Sequence, residues 1–123
     1  MLQQFNRGEI WLIDMTEGVG SEQKMIRPVV IIQNNMGNRY SPCCTIVPLT
    51  SQQGKKWMPT HVKLFKTTCL MSLSIALAEQ VTTVSKKRFI KFIGKINSLE
   101  MMEIEDALMI QMGIGAKNNI AYA

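Results

Sequence analysis

The run Pro28-Val29-Val30-Ile31-Ile32 constrains the fold of this chain most, because four β-branched residues follow one another without a polar break. Such a run predicts a strand that is buried on both faces and lies in the centre of a sheet. Pro28 opens the run, where a missing N–H does least harm to the hydrogen-bond ladder. The rest of the chain must therefore supply strands on both sides of this one and a cover for each face.

Further short segments have the composition of strands. They are Glu9–Asp14, 43–47, His61–Leu64, 74–78, 81–84 and 93–96. Pro48 is expected to bend the strand before it or to place that strand at a sheet edge. Polar residues and Gly37 break the chain over 34–38, and Ser85 is expected to cap a short helical turn over 86–88. Short strands in series with few helices favour a small, strongly twisted barrel.

One long helix is predicted, from about Ser98 to Met112. Asn97 or Ser98 is a suitable N-cap, and Asn97 and Glu100 have the spacing of a capping box. Gly113 and Gly115 end the helix. Apolar residues that recur at three- and four-residue steps predict one buried stripe, formed by Met101, Ile104, Leu108 and Met112.

Composition narrows the class of protein. The 123 residues suit one domain over 1–123, and the formal net charge of +5 favours an anionic partner such as nucleic acid or an acidic protein tail. No apolar run reaches the roughly 18 residues that a membrane span requires, and the polar start is not that of a signal peptide. We therefore expect a cytoplasmic protein without a membrane partner.

The cysteines and the single histidine argue against a metal or disulfide framework. Cys43, Cys44 and Cys69 are odd in number, and no CxxC pair accompanies His61. We expect reduced, mostly buried thiols, and neither a metal nor a cofactor.

Two polar residues stand where chemistry could occur. Arg27 precedes the buried strand, and Thr50 follows the 46–49 segment, so both could emerge at one rim if these strands are neighbours. An arginine and a hydroxyl beside a glycine-rich loop make a plausible phosphate site. The alternatives are a surface salt bridge from Arg27 to Glu22 or Glu79, and a turn role for Thr50.

Seven ordered blocks of the sequence resemble the MazF/PemK toxin family over about residues 7 to 113. They are RGEI (7–10), GVGSEQ (18–23), IRPVVIIQN (26–34), GNRYSP (37–42), LTSQ (49–52), PTHV (59–62) and LAEQ (77–80). The arginine-proline entry to a β-branched strand and the Gly-Ser-Glu-Gln loop are the most specific of these blocks.

The resemblance implies a mainly β fold, an SH3-like small β-barrel with a C-terminal helix, that works as a homodimer. It implies metal-independent, sequence-specific cleavage of single-stranded RNA, including mRNA, to 2′,3′-cyclic phosphate and 5′-hydroxyl ends, which inhibits translation and growth. It also implies a MazE-like antitoxin whose acidic, disordered tail covers the RNA groove.

Site residues carry over by position. Arg27 and Thr50 occupy the catalytic arginine and threonine positions of the family. The candidate RNA contacts are Ser21, Glu22, Ser51, Lys55, Lys56, Trp57, Pro59 and Gln80. For the basic loop that contains Trp57, a merely solvated surface explains the same residues about as well as an RNA groove, and His61 is interpreted as structural.

The chain departs from the family at Thr82, where many members have an arginine. The neighbouring cations Lys86, Lys87 and Arg88 are candidates to replace that charge. Two other functions remain open: a gyrase-binding toxin of the CcdB type with the same fold, and a non-catalytic RNA-binding barrel. The end of the predicted helix, QMGIG (111–115), lacks the tryptophan of the CcdB type, and the presence of both Arg27 and Thr50 argues against a non-catalytic barrel.

Overall fold

The computed structural model describes residues 4–16, 25–51, 56–64 and 73–115, which form a mostly β structure with a C-terminal helix. The elements, in chain order, are β1 (Glu9–Asp14), β2 (Ile26–Ile31), α1 (Asn35–Tyr40), β3 (Cys43–Thr50), β4 (His61–Leu64), β5 (Ser74–Leu77), β6 (Thr82–Ser85), β7 (Phe89–Lys95) and α2 (Ser98–Met112). Short 3₁₀ turns follow β5 (Ala78–Gln80) and β6 (Lys86–Arg88). Neither described α-helix has the length and apolarity to cross a bilayer.

The strands form one antiparallel sheet in the order β4-β5-β3-β2-β1-β7, with β6 also paired to β3. The prediction of a central strand is confirmed, because β2 lies between β1 and β3 and Val29, Val30 and Ile31 are fully buried. Among the described strands no ladder joins β6 to β7, which the 3₁₀ turn connects instead. Closure of the barrel therefore stays a prediction.

The sheet-edge position expected for Pro48 is wrong, and the expected bend of its strand stays a prediction. Strand β3 continues through it to Thr50, and Pro48 is buried opposite Val29 rather than at an edge. On the other side of β3, β6 pairs with Cys43 to Ile46 and β5 pairs only with Leu49 and Thr50. Pro48 thus falls where one partner strand has ended and the next has not begun, so its missing N–H interrupts neither ladder.

Two buried clusters lie on opposite faces of this sheet, because alternate residues of a strand point to opposite sides. The helix-side core packs the sheet against α2 and consists of Ile10, Val30, Val47, Leu49, Val62, Leu64, Ala76, Ala78, Ile96, Ile104 and Ala107. The inner core consists of Phe5, Trp11, Ile13, Val29, Ile31, Cys44, Ile46 and Phe89. Burial of each large apolar side chain contributes about 1.5–3 kcal/mol, so these clusters supply most of the driving force for folding.

Helix α2 has the predicted bounds and both predicted ends. The Asn97 side chain accepts a hydrogen bond from the Glu100 backbone, and the Glu100 side chain accepts one from the Asn97 backbone in return, which completes the capping box. Gly113 ends the helix with φ of 68°, a left-handed conformation that glycine adopts without strain. The predicted apolar stripe is wrong at Met112, which is 64% exposed, because the buried face runs through Glu100, Ile104 and Ala107 and ends before the last turn.

Other element bounds differ from the predictions. Residues 35–40 form a short helix rather than a break, because Asn34 caps it through the Gly37 N–H and the buried Asn38 side chain bonds to the Gln33 carbonyl. Strand β7 begins at Phe89 rather than at residue 93, since Phe89 pairs with Ile13 and its ring packs 5.7 Å from that of Trp11. The cap predicted for the turn after β6 is confirmed, because the Ser85 side chain accepts from the Lys87 N–H.

Candidate functional site

The pairing of β2 with β3 brings Arg27 and Thr50 together. The last pair of their ladder is Val29 opposite Pro48, and the same antiparallel register, continued by two residues, would place Arg27 opposite Thr50. A guanidinium Nη2 of Arg27 donates a hydrogen bond to the carbonyl of Leu49 at 3.3 Å, which holds the arginine against the end of β3. The two side chains therefore emerge at one end of the sheet, and we call this end the rim.

Strand alternation directs both side chains toward the same face. Arg27 shares a face with Val29 and Ile31, and Thr50 shares one with Cys44 and Ile46, all four of which belong to the inner core. Arg27 and Thr50 are half-buried, whereas the core residues behind them are closed to solvent. The rim thus has two half-buried polar side chains next to the apolar side chains of the inner core.

Arg27 uses few of its hydrogen-bond donors within the described residues. A guanidinium has five N–H donors, and within the described residues Arg27 uses one of them. Glu79, one of the two ion-pair partners considered for it, is instead bound to His61 at 2.8 Å. The other, Glu22, lies outside the described residues. A planar donor group at a half-buried position can bind a phosphate through two hydrogen bonds.

An aromatic and a cation lie two strands away from Thr50. Thr50 pairs with Ile75, and Ile75 pairs with Lys63, so the three lie in one row across β3, β5 and β4. The Lys63 ammonium is 5.3 Å from the centre of the Trp57 ring, which is 52% exposed. At about 4.8 Å per strand, this pair lies on the order of 10 Å from Thr50. Lys63 was not identified from the sequence, because only the order of the strands brings it into this row.

A buried polar network lies behind Trp57. Thr60 donates to one carboxylate oxygen of Glu79 at 2.9 Å, and the Nε2 of His61 lies 2.8 Å from the other. The Met58 N–H donates to the Nδ1 of His61, which assigns the proton of the neutral ring to Nε2. The prediction that His61 is structural is consistent with its side chain, which is 4% exposed.

The ionisation of Glu79 follows from these contacts. Burial by itself raises the pKa of the carboxyl, but hydrogen bonds from its own backbone N–H, His61 and Thr60 outweigh burial and lower the pKa below its ordinary value. Glu79 is therefore a carboxylate near neutral pH. Its chain neighbour Gln80, a candidate RNA contact, is exposed at the end of the same 3₁₀ turn.

The remaining candidate RNA contacts fall into two groups, those within the described residues and those outside them. Ser51 is exposed directly after Thr50, and Lys56 and Pro59 are exposed on either side of Trp57. Ser21, Glu22 and Lys55 lie outside the described residues.

Of the cations near Thr82, Arg88 is the one that reaches the rim. Thr82 is exposed and pairs with Ile46, some distance along β3 from Thr50. Arg88 donates from Nη1 to the carbonyls of Asp14 and Thr16 at 2.9 and 3.0 Å. Its neighbour Phe89 pairs with Ile13, the residue opposite Arg27. Lys86 instead donates to the Asn38 carbonyl, at the other end of β3.

The described thiols are not placed for chemistry. Cys44 is buried, and this burial, opposed by the nearby charge of Lys86, raises the pKa of its thiol to about 11. Cys43 is half-buried and also reduced, as expected, and Cys69 lies outside the described residues. Within the described part of the chain, no three His, Cys, Asp or Glu side chains gather as they would around a metal ion.

Solved structures share this fold at low sequence identity. An endoribonuclease from a mycobacterial species, solved in complex with its cognate antitoxin, is 24% identical with a TM-score of 0.75, and the match covers 89% of this chain and 96% of that chain. MazF from Deinococcus radiodurans is 19% identical with a TM-score of 0.75, covering 91% and 99% of the two chains. A MazE–MazF structure from the same organism is 18% identical with a TM-score of 0.77, covering 92% and 99%.

Membership of a family follows from the sequence rather than from the shared fold. The family model described as "PemK-like, MazF-like toxin of type II toxin-antitoxin system" matches residues 6–112, which include every described strand and the helix α2. The chain therefore belongs to the PemK-like, MazF-like toxins of type II toxin–antitoxin systems.

Proposed function

We propose that this toxin is a metal-independent, sequence-specific endoribonuclease that cleaves single-stranded RNA, including mRNA, and thereby inhibits translation and growth. The observation that carries the proposal is the position of Arg27 against the end of β3 beside Thr50, where within the described residues it uses one of its N–H donors. Family membership supports it, since relatives of the same fold are named endoribonucleases.

The reaction that suits this site is an attack by the neighbouring 2′-hydroxyl of the RNA. The 2′-oxygen bonds to phosphorus and loses its proton, while the bond from phosphorus to the 5′-oxygen breaks and that oxygen takes up a proton. The products are a 2′,3′-cyclic phosphate and a 5′-hydroxyl. No water and no redox partner enters this step.

Arg27 supplies positive charge where negative charge develops. Its guanidinium binds the two non-bridging phosphate oxygens and stabilises the five-coordinate transition state, which is the role that a metal ion has in other nucleases. The very high pKa of an arginine side chain makes it a poor base. The Thr50 hydroxyl, beside it, orients the 2′-hydroxyl or relays a proton to the leaving 5′-oxygen, a contribution typically worth about 10²–10⁴ in rate.

The groove extends from the rim toward Trp57. An exposed indole beside Lys56 and Lys63 suits a single strand, since bases stack on aromatic rings while cations contact phosphates. Arg88 extends the positive charge on the other side of Arg27. The net charge of +5 agrees with an anionic ligand.

We further propose a cytoplasmic homodimer that is neutralised by a MazE-like antitoxin with an acidic, disordered tail. The mycobacterial relative was solved with its cognate antitoxin, and Deinococcus MazF with MazE. An acidic tail and RNA need the same cations, so they should compete for one groove. In the dimer, RNA would cross a groove shared by both subunits.

The test is cleavage of a defined single-stranded RNA in EDTA, with cuts mapped by primer extension and product ends identified chemically. We expect cuts at one short motif, with cyclic phosphate and 5′-hydroxyl ends. Arg27→Ala is the inactive comparison, and Arg39→Ala, which alters an exposed arginine beyond the other end of β2, is the matched control. Activity that disappears in EDTA and returns with magnesium would refute metal independence, and an absence of cleavage in any buffer would favour a binding toxin of the CcdB type or a non-catalytic barrel.

A further inference from the structure

We propose that Thr60, His61 and Glu79 form a positioning network that fixes two candidate RNA contacts, Trp57 and Gln80, relative to each other, and so controls how RNA binds rather than the chemical step. The inference rests on the proposed ribonuclease function. It concerns a polar cluster that lies outside the Arg27–Thr50 pair.

The network joins two separate segments of the chain. One segment is the loop that enters β4, and the other is the 3₁₀ turn after β5. Glu79, on the turn, accepts from Thr60, on the loop, at 2.9 Å and from His61, the first residue of β4, at 2.8 Å. The Ala78 N–H donates to the Thr60 carbonyl at 3.1 Å, which adds a backbone bond between the same two segments.

Burial of this network favours one arrangement of its side chains over others. The His61 side chain is 4% exposed, and that of Glu79 is 22% exposed. A partly buried carboxylate is costly unless its oxygens are bonded, so one relative orientation of loop and turn is favoured over all others. Both oxygens of Glu79 receive donors from inside the fold, which is the arrangement of a structural acceptor and not of a general base.

Each segment carries one candidate RNA contact. The Trp57 ring meets the His61 ring edge-on, with centroids 5.4 Å apart and planes at 83°, so the imidazole supports the indole. Gln80 follows Glu79 directly in the chain and is exposed. Arg27 and Thr50 are positioned differently, by the β2–β3 register and the bond to the Leu49 carbonyl. Loss of the network should therefore disturb the groove and leave the catalytic pair in place.

The first experiment separates binding from chemistry in Glu79→Gln, which keeps the size of the side chain and removes its charge. Because stacking of one base is worth about 5- to 150-fold in affinity, we expect KM for a defined RNA to rise by a factor in that range. We expect kcat to change by less than about threefold, since the groups that act in the chemical step remain. Glu105→Gln is the matched control, because the Glu105 carboxylate is also held by a partner, Arg7 at 2.8 Å, but lies on the side of α2 that faces Arg7 and not Trp57.

A double-mutant cycle then asks whether Trp57 transmits the effect. If the network acts through the indole, Glu79→Gln should add little to the rise in KM already caused by Trp57→Ala. Independent, additive effects would overturn the proposal. So would a fall in kcat at unchanged KM, which would move Glu79 into the chemistry, or an equal rise in KM in Glu105→Gln, which would show general destabilisation.

A readout without RNA distinguishes failure of this inference from failure of the proposed function. In a Trp11→Phe background Trp57 is the one remaining tryptophan, since the chain has two. Acrylamide quenching of its fluorescence should increase in Glu79→Gln and not in Glu105→Gln. His61→Gln serves as a second variant if Glu79→Gln does not fold, and unchanged quenching in a folded variant would refute the positioning role even if the protein cleaves no RNA.

Discussion

The rim and the buried network both consist of polar side chains, but these differ in burial and in hydrogen bonding. At the rim, Arg27 is half-buried and makes one bond, of 3.3 Å, to the described residues. In the network, both Glu79 oxygens are bonded at 2.9 Å or less, and His61 is almost completely enclosed. Among the described residues Arg27 therefore keeps most of its N–H donors for a ligand, whereas both carboxylate oxygens of Glu79 are already bonded within the fold.

This difference separates two ways in which polar residues contribute to a site. A group that stabilises a transition state must have donors that are unsatisfied until substrate arrives. A group that positions others must be satisfied already, because an incomplete buried network costs stability and permits several arrangements. Substitutions at the rim should therefore change the rate and leave stability almost unchanged, while substitutions in the network should affect binding and stability.

Removal of the guanidinium should have the largest effect. Arg27→Ala should lower single-turnover cleavage by about 10²–10³, the usual cost of removing one transition-state donor group. The unfolding midpoint should hardly move, because the side chain is half-buried and its bond to Leu49 is long. Arg27→Lys keeps the charge without the two-donor geometry and should recover only part of the rate. A rate near that of the unaltered protein in Arg27→Ala would remove the catalytic assignment.

Removal of the hydroxyl should have the next largest effect. Thr50→Ala should lower the single-turnover rate by at least about 10², the low end for a positioned proton-transfer group. Thr50→Ser keeps the hydroxyl and is the matched control, for which we expect a rate within about tenfold of the original. Equal losses in both variants would show that the methyl group and packing matter, and not the hydroxyl.

The contribution of the network to the free energy of unfolding should decrease as the pH is lowered. Because the pKa of Glu79 is lower in the folded protein than in the unfolded chain, its stabilisation is present above the ordinary glutamate pKa and is lost as pH falls through the folded value. Glu79→Gln should therefore cost about 1–3 kcal/mol of unfolding free energy at neutral pH and less in acid. Denaturant titrations of both proteins from pH 7 to pH 3 measure this, and parallel curves would contradict it.

Removal of one positive charge from the groove should have the smallest effect of these substitutions. Together, Lys55→Ala and Lys56→Ala should weaken the binding of RNA and of an acidic peptide in parallel. They should also reduce the slope of log affinity against log salt for RNA by up to about 1.4, or 0.7 for each phosphate that the protein no longer neutralises. The acidic face of α2 should not contribute. Titrations at two salt concentrations, with sedimentation to establish the dimer, test this. A monomer at micromolar concentration, or peptide that binds without displacing RNA, would contradict the shared groove.

Local patterns were sufficient where neighbouring residues decide the structure. The β-branched run of β2 and the capping box of α2 could be predicted, because each depends on residues close in sequence. The candidate pair Arg27 and Thr50 came from its position beside two predicted strands and from the family resemblance. Expectations failed where distant partners decide. The edge position of Pro48 was wrong because Pro48 lies in a gap between two partner strands, and the burial of Met112 was wrong because Met112 lies past the end of the packed face.

By itself, then, the sequence determined the strand-rich composition, the ends of the long helix and the family to which the chain belongs. Only the tertiary structure decided which polar groups meet: Arg27 beside Thr50, Lys63 in the row of Thr50, and Arg88 beside the end of β1. Glu79 shows the reason most clearly, since it binds Thr60 and His61 from 19 and 18 residues away. Contacts over such separations depend on strand order and register, which result from packing of the whole chain and not from any local pattern.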